Sequence, residues 1–303
     1  MLIDSHCHIH DRSTYNYAYS RQQIGKKLLK NYPDLPHEPS DFVPEKIIDR
    51  AHAAGVEKMI CIGTSHDDSM AARDFAATHD GIFWSYGIHP DEASSASSSS
   101  SHLATTGAFL HPAPSGAASE ATAAPVTTGR DEASEREEAC LPVAIGEVGL
   151  DYRSGESNKK AQIELFESML QLAKDSDLPL IFHIREAFDD FFAILNNFPD
   201  ARGVVHSFSD NADNLKKSLG RDFYIGVNGL ATFADELPTS QIPLEKMLLE
   251  TDAPFLTPAP FRGTVNEPAR IKEICAYISK LKGESEAKVA EITTKNAERL
   301  FKI

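Results

Sequence analysis

The sequence predicts a (β/α)8 barrel of the TIM type, and three observations support this prediction. Eight short apolar segments recur along the 303 residues, and most are separated by one segment with helical spacing of apolar residues. Hydrophobic residues make up 41% and charged residues 25% of the chain, as in a soluble globular protein. Residues that bind metals or transfer protons follow six of the eight segments, at the strand ends where TIM barrels carry their active sites.

The first strand begins at Leu2 and ends in the motif Asp4-Ser5-His6-Cys7-His8. Side chains alternate faces along a strand, so we expect His6 and His8 to point to one side, with Asp4 one layer deeper. Two adjacent imidazoles suit a divalent metal, although two solvated histidines give the same pattern. Residues 9–41 are polar and aromatic, and we expect an extended loop there with one short helix near 22–29.

The middle of the chain alternates strand and helix until it reaches a low-complexity segment. Helix 45–54 follows Pro44 and stops at Gly55. Strand 58–63 and helix 67–78 come next, and strand 82–90 carries His89 at its end. Residues 92–140 are rich in Ser, Ala and Thr and bury too little apolar surface to offset chain entropy. We therefore expect a mostly disordered insertion after strand 3, with a helical turn or two over 131–139.

The first element predicted after the insertion is strand 142–152, in which glycines flank Glu147. The later strands end in His183, His206 and Asp252. The predicted elements after Glu147 are helix 159–176, strand 179–185, helix 187–196, strand 203–208, helix 213–219, strand 223–227, strand 247–252 and helices 268–282 and 285–301. Ser285 is the expected N-cap of the last helix.

Composition narrows the function classes. The chain has no apolar run near the roughly 20 residues that span a membrane, and no signal-peptide pattern at its start. The cysteines at 7, 61, 140 and 275 are scattered, which fits a reducing compartment. We expect a cytoplasmic monomer in which residues 1–303 form one domain. The net charge of −15 disfavours a broad nucleic-acid surface but allows a small site where bound cations supply positive charge.

Five of the twelve histidines stand at strand ends. The remaining seven are expected to be solvated surface residues of loops and helices: His10, His37, His52, His66, His79, His102 and His111. Four strand-end histidines, Glu147 and Asp252 are too many ligands for one tetrahedral ion. Two ions about 3.5–4 Å apart that share a carboxylate fit better. Zinc, manganese and magnesium all suit such a mixed set.

Eight motifs then suggest a family. They are Ile3-Asp4-Ser5-His6-Cys7-His8, Gly87-Ile88-His89-Pro90, Gly146-Glu147-Val148-Gly149-Leu150-Asp151-Tyr152, His183-Ile184-Arg185, His206-Ser207-Phe208-Ser209, Leu249-Glu250-Thr251-Asp252-Ala253-Pro254, Arg262-Gly263 with Asn266-Glu267-Pro268, and Thr294-Lys295-Asn296-Ala297. In this order they resemble the TatD family of metal-dependent hydrolases, in the amidohydrolase superfamily. The longer segments 9–41 and 92–140 depart from the family pattern.

The resemblance implies a TIM-type barrel with two divalent metals and nuclease activity, commonly that of a 3′-5′ exodeoxyribonuclease. The substrate would be DNA ends or single strands, with RNA as a further substrate. One metal would use His6, His8, Glu147 and Asp252, and Glu147 would bridge to a second metal. That second metal would also use His183 and His206.

Four further roles follow as hypotheses. Asp252 takes or orients the proton of the attacking water, and His89 donates to a phosphate oxygen unless it is only a hydrogen-bonded strand-end histidine. Glu250 shares the face of Asp252 and supports the ligands, or it pairs with an arginine, Arg185 or Arg262. Arg262 binds a phosphate, or together with Glu267 it pins its loop.

Three alternatives remain open at the level of sequence. The same site suits hydrolysis of an ester or amide, such as the aminoacyl linkage on tRNA. A deaminase of the same superfamily would use one main ion and a catalytic Glu. A non-enzymatic binding module is the third alternative, and the intact ligand set argues against it.

Overall fold

The structure is a computed structural model that describes residues 1–24, 26–32, 36, 38–96, 141–153 and 158–303. Within these ranges eight parallel strands form one sheet, in which each strand pairs with the next along the chain. The strands are β1 (Leu2–Cys7), β2 (Val56–Ile62), β3 (Ile82–Tyr86), β4 (Ala144–Asp151), β5 (Leu180–Arg185), β6 (Gly203–Val205), β7 (Tyr224–Val227) and β8 (Met247–Leu249). The predicted (β/α)8 barrel is confirmed.

The sheet closes where the first and last strands meet. Cys7 forms a parallel bridge with Ala253, which lies just beyond β8. The His8 amide donates to the Ala253 carbonyl at 2.8 Å, and the Asp252 amide donates to the His6 carbonyl at 2.9 Å. Closure therefore places the backbones of His6, His8 and Asp252 side by side.

Ten α-helices surround the strands in the described part of the chain. They are α1 (Arg12–Arg21), α2 (Lys26–Asn31), α3 (Pro44–Ala53), α4 (His66–Ala76), α5 (Ala93–Ala96), α6 (Lys159–Ser176), α7 (Phe188–Leu195), α8 (Ala212–Gly220), α9 (Ile271–Lys282) and α10 (Glu286–Phe301). Short 3-10 turns, Gly229–Thr232, Pro238–Gln241 and Leu244–Lys246, connect β7 to β8 in place of an α-helix. Ser285 caps α10 as predicted, since its hydroxyl accepts from the Lys288 amide at 3.2 Å.

Helix α1 departs from the expectation of a loop with one short helix near 22–29. The Asp11 carboxylate accepts from the Ser13 amide at 2.7 Å and so caps the helix. Tyr15, Ala18 and Tyr19 then form a buried stripe at helical spacing. The abundance of tyrosine hides this stripe in the sequence, where it reads as a polar aromatic loop.

Two described segments bear on the remaining expectations. Residues 92–96 were assigned to the disordered insertion, but they belong to a 3-10 turn, Pro90–Glu92, and to α5, with Ala93 buried. The prediction is wrong for these five residues, and the rest of the insertion, including 131–139, lies outside the described residues. Among the described helices, none combines the length and the apolar character that crossing a membrane requires.

A layer of apolar side chains lies beneath the ligand-bearing strand ends. Ile181 and Val204 stand two positions before His183 and His206, and therefore face the same side of the sheet. They belong to a buried cluster that takes side chains from most strands. Phe301, at the end of α10, packs against this cluster. The candidate site therefore lies above a buried, close-packed apolar layer, which holds the strand ends in place.

Candidate metal centre

The six residues predicted as ligands meet at the carboxyl ends of the strands, with Glu147 at the centre. Glu147 Oε1 lies 2.6 Å from His183 Nδ1 and 3.6 Å from His206 Nε2. Its other oxygen, Oε2, lies 3.5 Å from His6 Nε2. The two oxygens therefore face different imidazoles of one cluster, in which His206 also stacks on His6 with ring centroids 3.6 Å apart.

Asp252 completes the group on the side of His6. Its Oδ1 lies 3.6 Å from His6 Nε2 and 3.6 Å from His8 Nε2. The two imidazole rings have centroids 5.2 Å apart, so both histidines point to the same side of β1, as strand alternation predicts. The backbone of Asp252 is left-handed, with φ of 56°, and aims its side chain at these rings.

The donor set fits divalent cations. His6 is fully buried, and neither of its ring nitrogens makes a hydrogen bond within the described residues. Unpaired buried nitrogens are costly, and a cation is the partner that imidazoles and carboxylates share. Two clusters that contain Glu147 have ligand atoms within 4.8 Å of one another, namely His6 with His8, and His89 with His183.

Glu147 is an anion in this setting. Burial alone raises the pKa of this carboxyl, but the charges of His206 and His183 and the hydrogen bond from His183 lower it well below its usual range. A carboxylate that stays charged while 4% exposed attracts cations strongly.

Asp151 orients His183, and sequence reasoning assigned it no role. Asp151 Oδ2 lies 3.2 Å from His183 Nε2, so the opposite nitrogen, Nδ1, faces Glu147. Such outer carboxylates fix the tautomer and ring orientation of a ligating histidine. The available signal was its place four residues after Glu147 in the same motif, on a strand that pairs with the strand of His183.

Glu250 supports His206. Its Oε1 lies 3.0 Å from His206 Nδ1 and accepts from the Ser207 amide at 2.7 Å and the Asn228 amide group at 3.3 Å. A Cβ at Gly226 would lie 2.3 Å from Glu250 Oε2, so the glycine makes room for this carboxylate. The alternative ion pairs of Glu250 with an arginine do not form within the described residues. The contacts of Ser207 and Asn228 were not foreseen.

His89 lies at the edge of the cluster. Its Nδ1 accepts from the Asp91 amide at 3.2 Å, which places the proton of the neutral ring on Nε2. That Nε2 lies 4.0 Å from Glu147 Oε1, and the ring packs edge-on against His183 with centroids 4.4 Å apart. His89 is thus both a hydrogen-bonded strand-end histidine and a donor directed at the cluster.

Asp4 holds β1 against the end of β8. It is fully buried and accepts from the Thr251 amide at 2.9 Å and from the Thr251 hydroxyl at 2.5 Å. Burial raises its pKa to about 8, despite these hydrogen bonds. The strand register shifts between Asp4 and Cys7, so simple alternation does not describe its position. Asp4 fixes the residue next to Asp252.

The prediction that His10 is a solvated surface residue is wrong. Its side chain is fully buried, and its Nε2 lies 3.0 Å from Asp68 Oδ1 on α4. His66 and His79 are partly buried, and each lies near a polar atom, the Tyr86 hydroxyl at 3.3 Å and the Phe75 carbonyl at 2.8 Å. His52 is exposed as expected. The other three histidines of that group, His37, His102 and His111, lie outside the described residues.

Removing the partner of His10 is expected to destabilise the fold. Asp68→Asn should lower the free energy of unfolding by about 2 kcal/mol, because a buried charge-assisted hydrogen bond is lost. Asp67→Asn, an exposed change in the same first turn of α4, is the control and should have almost no effect. Urea denaturation measures both, and equal losses in the two variants would contradict the role of the pair.

The destabilisation should depend on pH. Burial opposes protonation of His10, but Asp68 and Cys61 raise its pKa from 6.5 to about 10, so its contribution is complete below pH 6.5 and is lost as pH rises through 10. Burial opposes ionisation of Asp68, but His10 and Thr64 lower its pKa from 3.8 to about 2, so its contribution is complete above pH 3.8 and is lost as pH falls through 2. The effect of Asp68→Asn should be largest between these limits, from pH 3.8 to 6.5.

Within the described residues, Glu267 but not Arg262 forms an ion pair that helps to hold the loop after Asp252. Glu267 accepts two hydrogen bonds of 2.7 Å from Arg50 on α3, a fork-to-fork pair. Arg262 does not share this pair and instead stacks on Phe233, with its guanidinium carbon 3.8 Å from the ring centroid. Arg262 and Glu267, which one hypothesis from the sequence paired, therefore make separate contacts, with Phe233 and Arg50.

Comparison with known proteins connects this geometry to a family. The family model described as TatD related DNase matches residues 3–302. YabD of Bacillus subtilis, named an uncharacterized metal-dependent hydrolase, is 32% identical over 282 residues, which cover 91% of this chain and 99% of that protein. A Citrobacter rodentium protein named 3′-5′ ssDNA/RNA exonuclease TatD is 32% identical over 281 residues, covering 87% and 94%. The crystal structure of YJJV, a TatD homologue from Escherichia coli, superposes with a TM-score of 0.73 at 25% identity, covering 100% and 98%.

Proposed function

Because this chain belongs to the TatD related DNase family of metal-dependent hydrolases, we propose that it is a two-metal 3′-5′ exodeoxyribonuclease. Its substrate would be single-stranded DNA or a frayed DNA end, with RNA as a further substrate. Relatives at about 30% identity carry the name of a 3′-5′ ssDNA/RNA exonuclease, which supports the direction and the strand preference. The protein is a metal-dependent hydrolase by family membership, and the proposal adds its substrate and its direction of cleavage.

The observation that carries the proposal is the position of Glu147 at the centre of the histidine cluster, with each carboxylate oxygen towards different rings. Oε2 faces His6, and Oε1 faces His183 and His206. A carboxylate in this position suits two cations that share it, one held with His8 and Asp252 and the other with His183 and His206. Paired cations of this kind recur in enzymes that cleave phosphodiester bonds.

Two divalent cations, when bound, supply charge that neutralises the phosphate and lowers the pKa of the attacking water. Asp252 then accepts the proton of that water. Burial alone raises the pKa of Asp252, but neighbouring His8 and the charges of His206 and His6 lower it, so the group is a carboxylate that can accept a hydrogen bond from that water and orient it. The left-handed backbone of Asp252 holds this carboxylate beside the histidines of β1.

His89 supplies a proton donor on the opposite side. Because its Nδ1 accepts from the Asp91 amide, its Nε2 proton points towards the cluster and can bind a non-bridging phosphate oxygen. Asp151 and Glu250 keep His183 and His206 in place from behind. The hydrogen bond between His183 and Asp151 and the Glu250 carboxylate 3.0 Å from His206 therefore restrict the orientation of two candidate ligands.

The deciding experiment is degradation of 5′-labelled single-stranded DNA with zinc, manganese or magnesium, compared with hydrolysis of an aminoacyl ester. We expect metal-dependent shortening from the 3′ end, abolition by EDTA with most of the far-UV CD signal retained, and recovery when metal returns. The fold should survive because the apolar base beneath the site does not depend on cations.

His183→Ala is the matched variant, and it should lose activity with all three metals. Cleavage of the aminoacyl ester with intact DNA would contradict the nuclease assignment. A metal content of one ion per chain in the active protein would contradict the two-metal assignment. Loss of the CD signal in EDTA would show that the barrel depends on its cations.

A further inference from the structure

A cleft of about 350 Å³ lies between two segments that leave the candidate metal centre. One wall is α1, which begins shortly after His8, and the other is the loop that follows Asp252. The Gln23 amide donates to the Gly263 carbonyl at 2.8 Å and joins the two walls. The Phe255 amide donates to the Asp252 carbonyl at 2.7 Å, so the loop wall is anchored to the centre itself.

Two pairs of an arginine and an aromatic ring line this cleft. Arg21 lies over Tyr17 on α1, with its guanidinium carbon 5.8 Å from the ring centroid. Arg262 lies over Phe233 on the other wall at 3.8 Å. We call the cleft defined by these four residues the arginine cleft. Both arginines are exposed, and Tyr17 is 57% exposed.

The charge of the arginine cleft is opposite to that of the protein. The chain carries a formal net charge of −15, and several exposed lysines pair with carboxylates, as Lys288 does with Glu284. Across the described ranges, neither Arg21 nor Arg262 forms an ion pair. Free guanidinium groups next to exposed rings match the needs of one ligand class, a strand with phosphates on one side and bases on the other.

We propose that the arginine cleft binds the single strand that leads into the metal centre, which rests on the proposed nuclease function. Arg21 and Arg262 bind phosphates upstream of the scissile bond, and Tyr17 stacks on a base. Stacking on an aromatic face tolerates every base, and a cleft of this kind therefore grips a strand without reading its sequence. The formal net charge of −15 disfavours a broad grip on the polyanion, which favours a local site of this kind.

The test measures steady-state cleavage of single-stranded DNA by Arg21→Gln, Arg262→Gln and the double variant over a range of salt concentrations. Arg202→Gln is the control, because Arg202 is exposed, pairs with Asp177 and precedes β6 at the opposite end of the barrel. Each cleft variant should raise KM about tenfold with kcat changed less than twofold. The slope of log KM against log salt should fall by about 0.7 for each phosphate contact removed.

The small diester bis(p-nitrophenyl) phosphate, too short to reach the arginine cleft, separates the outcomes. An unchanged KM for DNA in the double variant would overturn the proposal. Equal loss of activity towards DNA and the small diester would show that the arginines only hold their loops, and would also overturn it. A wild-type protein that hydrolyses the small diester but leaves DNA intact would overturn the nuclease function first, and this proposal with it.

Discussion

Glu147→Gln is expected to bind at most one metal ion tightly and to lose at least about a hundredfold in turnover, the scale seen when charge or geometry at a catalytic metal is disturbed. Glutamine keeps the shape of the side chain. It removes the negative charge and replaces one oxygen with an amide group that cannot bind a cation. Oε1 faces His183 and Oε2 faces His6. In the glutamine variant, a cation beside one of these two histidines therefore loses its oxygen ligand.

Metal content by ICP-MS and kcat should be measured on the same preparation. Glu164→Gln is the control, since this glutamate is exposed on α6 and its ion pair is with Lys160. Thermal unfolding should show that Glu147→Gln keeps its fold, because the residue lies at the mouth and not in the apolar base. Two tightly bound metal ions with near-normal turnover in Glu147→Gln would contradict the proposal that Glu147 bridges two cations.

Asp252→Asn is expected to lower kcat by about a thousandfold, within the range for removing a group that transfers a proton. Asparagine retains a polar oxygen but cannot accept the proton of the attacking water. It also tolerates the left-handed backbone that Asp252 adopts, with φ of 56°, so the loss should not reflect a rebuilt chain.

Asp200→Asn, an exposed change at the other end of the barrel, should leave kcat unaltered. The cation proposed for Glu147, His183 and His206 would not use Asp252, and it should remain bound in Asp252→Asn. A variant that retains near-normal kcat would contradict the role of Asp252 as proton acceptor. Loss of all bound metal would show that Asp252 serves the metals first.

The fold and the convergence of the candidate ligands were accessible from the sequence for one physical reason. Parallel strands place their carboxyl ends at one edge, so residues such as His6, Glu147 and His183 must converge once the strands are recognised. The number and identity of the ions and the choice of DNA stay predictions, because the same donors suit several metals and several esters.

The supporting contacts were not accessible. The sequence assigned His10 to the surface because it stands in a loop. Its side chain is buried, and its partner Asp68 lies 58 positions away in the sequence. Asp151 lies 3.2 Å from His183 on another strand, a contact that alternation alone does not fix. For Glu250 the sequence predicted either support of the ligands or a pair with an arginine, but it did not identify His206, 3.0 Å away, as the partner. Helix α1 was missed because its buried stripe is made of tyrosine and alanine rather than aliphatic residues.

The meeting of β1 with the end of β8 has a consequence for biosynthesis. Asp4 and Thr251, which hydrogen-bond across this seam, are 247 positions apart. At roughly 5–20 residues per second, translation takes about 12–50 s to cover that distance. His6 and His8 are therefore synthesised long before Asp252, and the seam cannot form until residue 252 has been added. The candidate ligands of β1 and Asp252 therefore cannot come together before the barrel is closed.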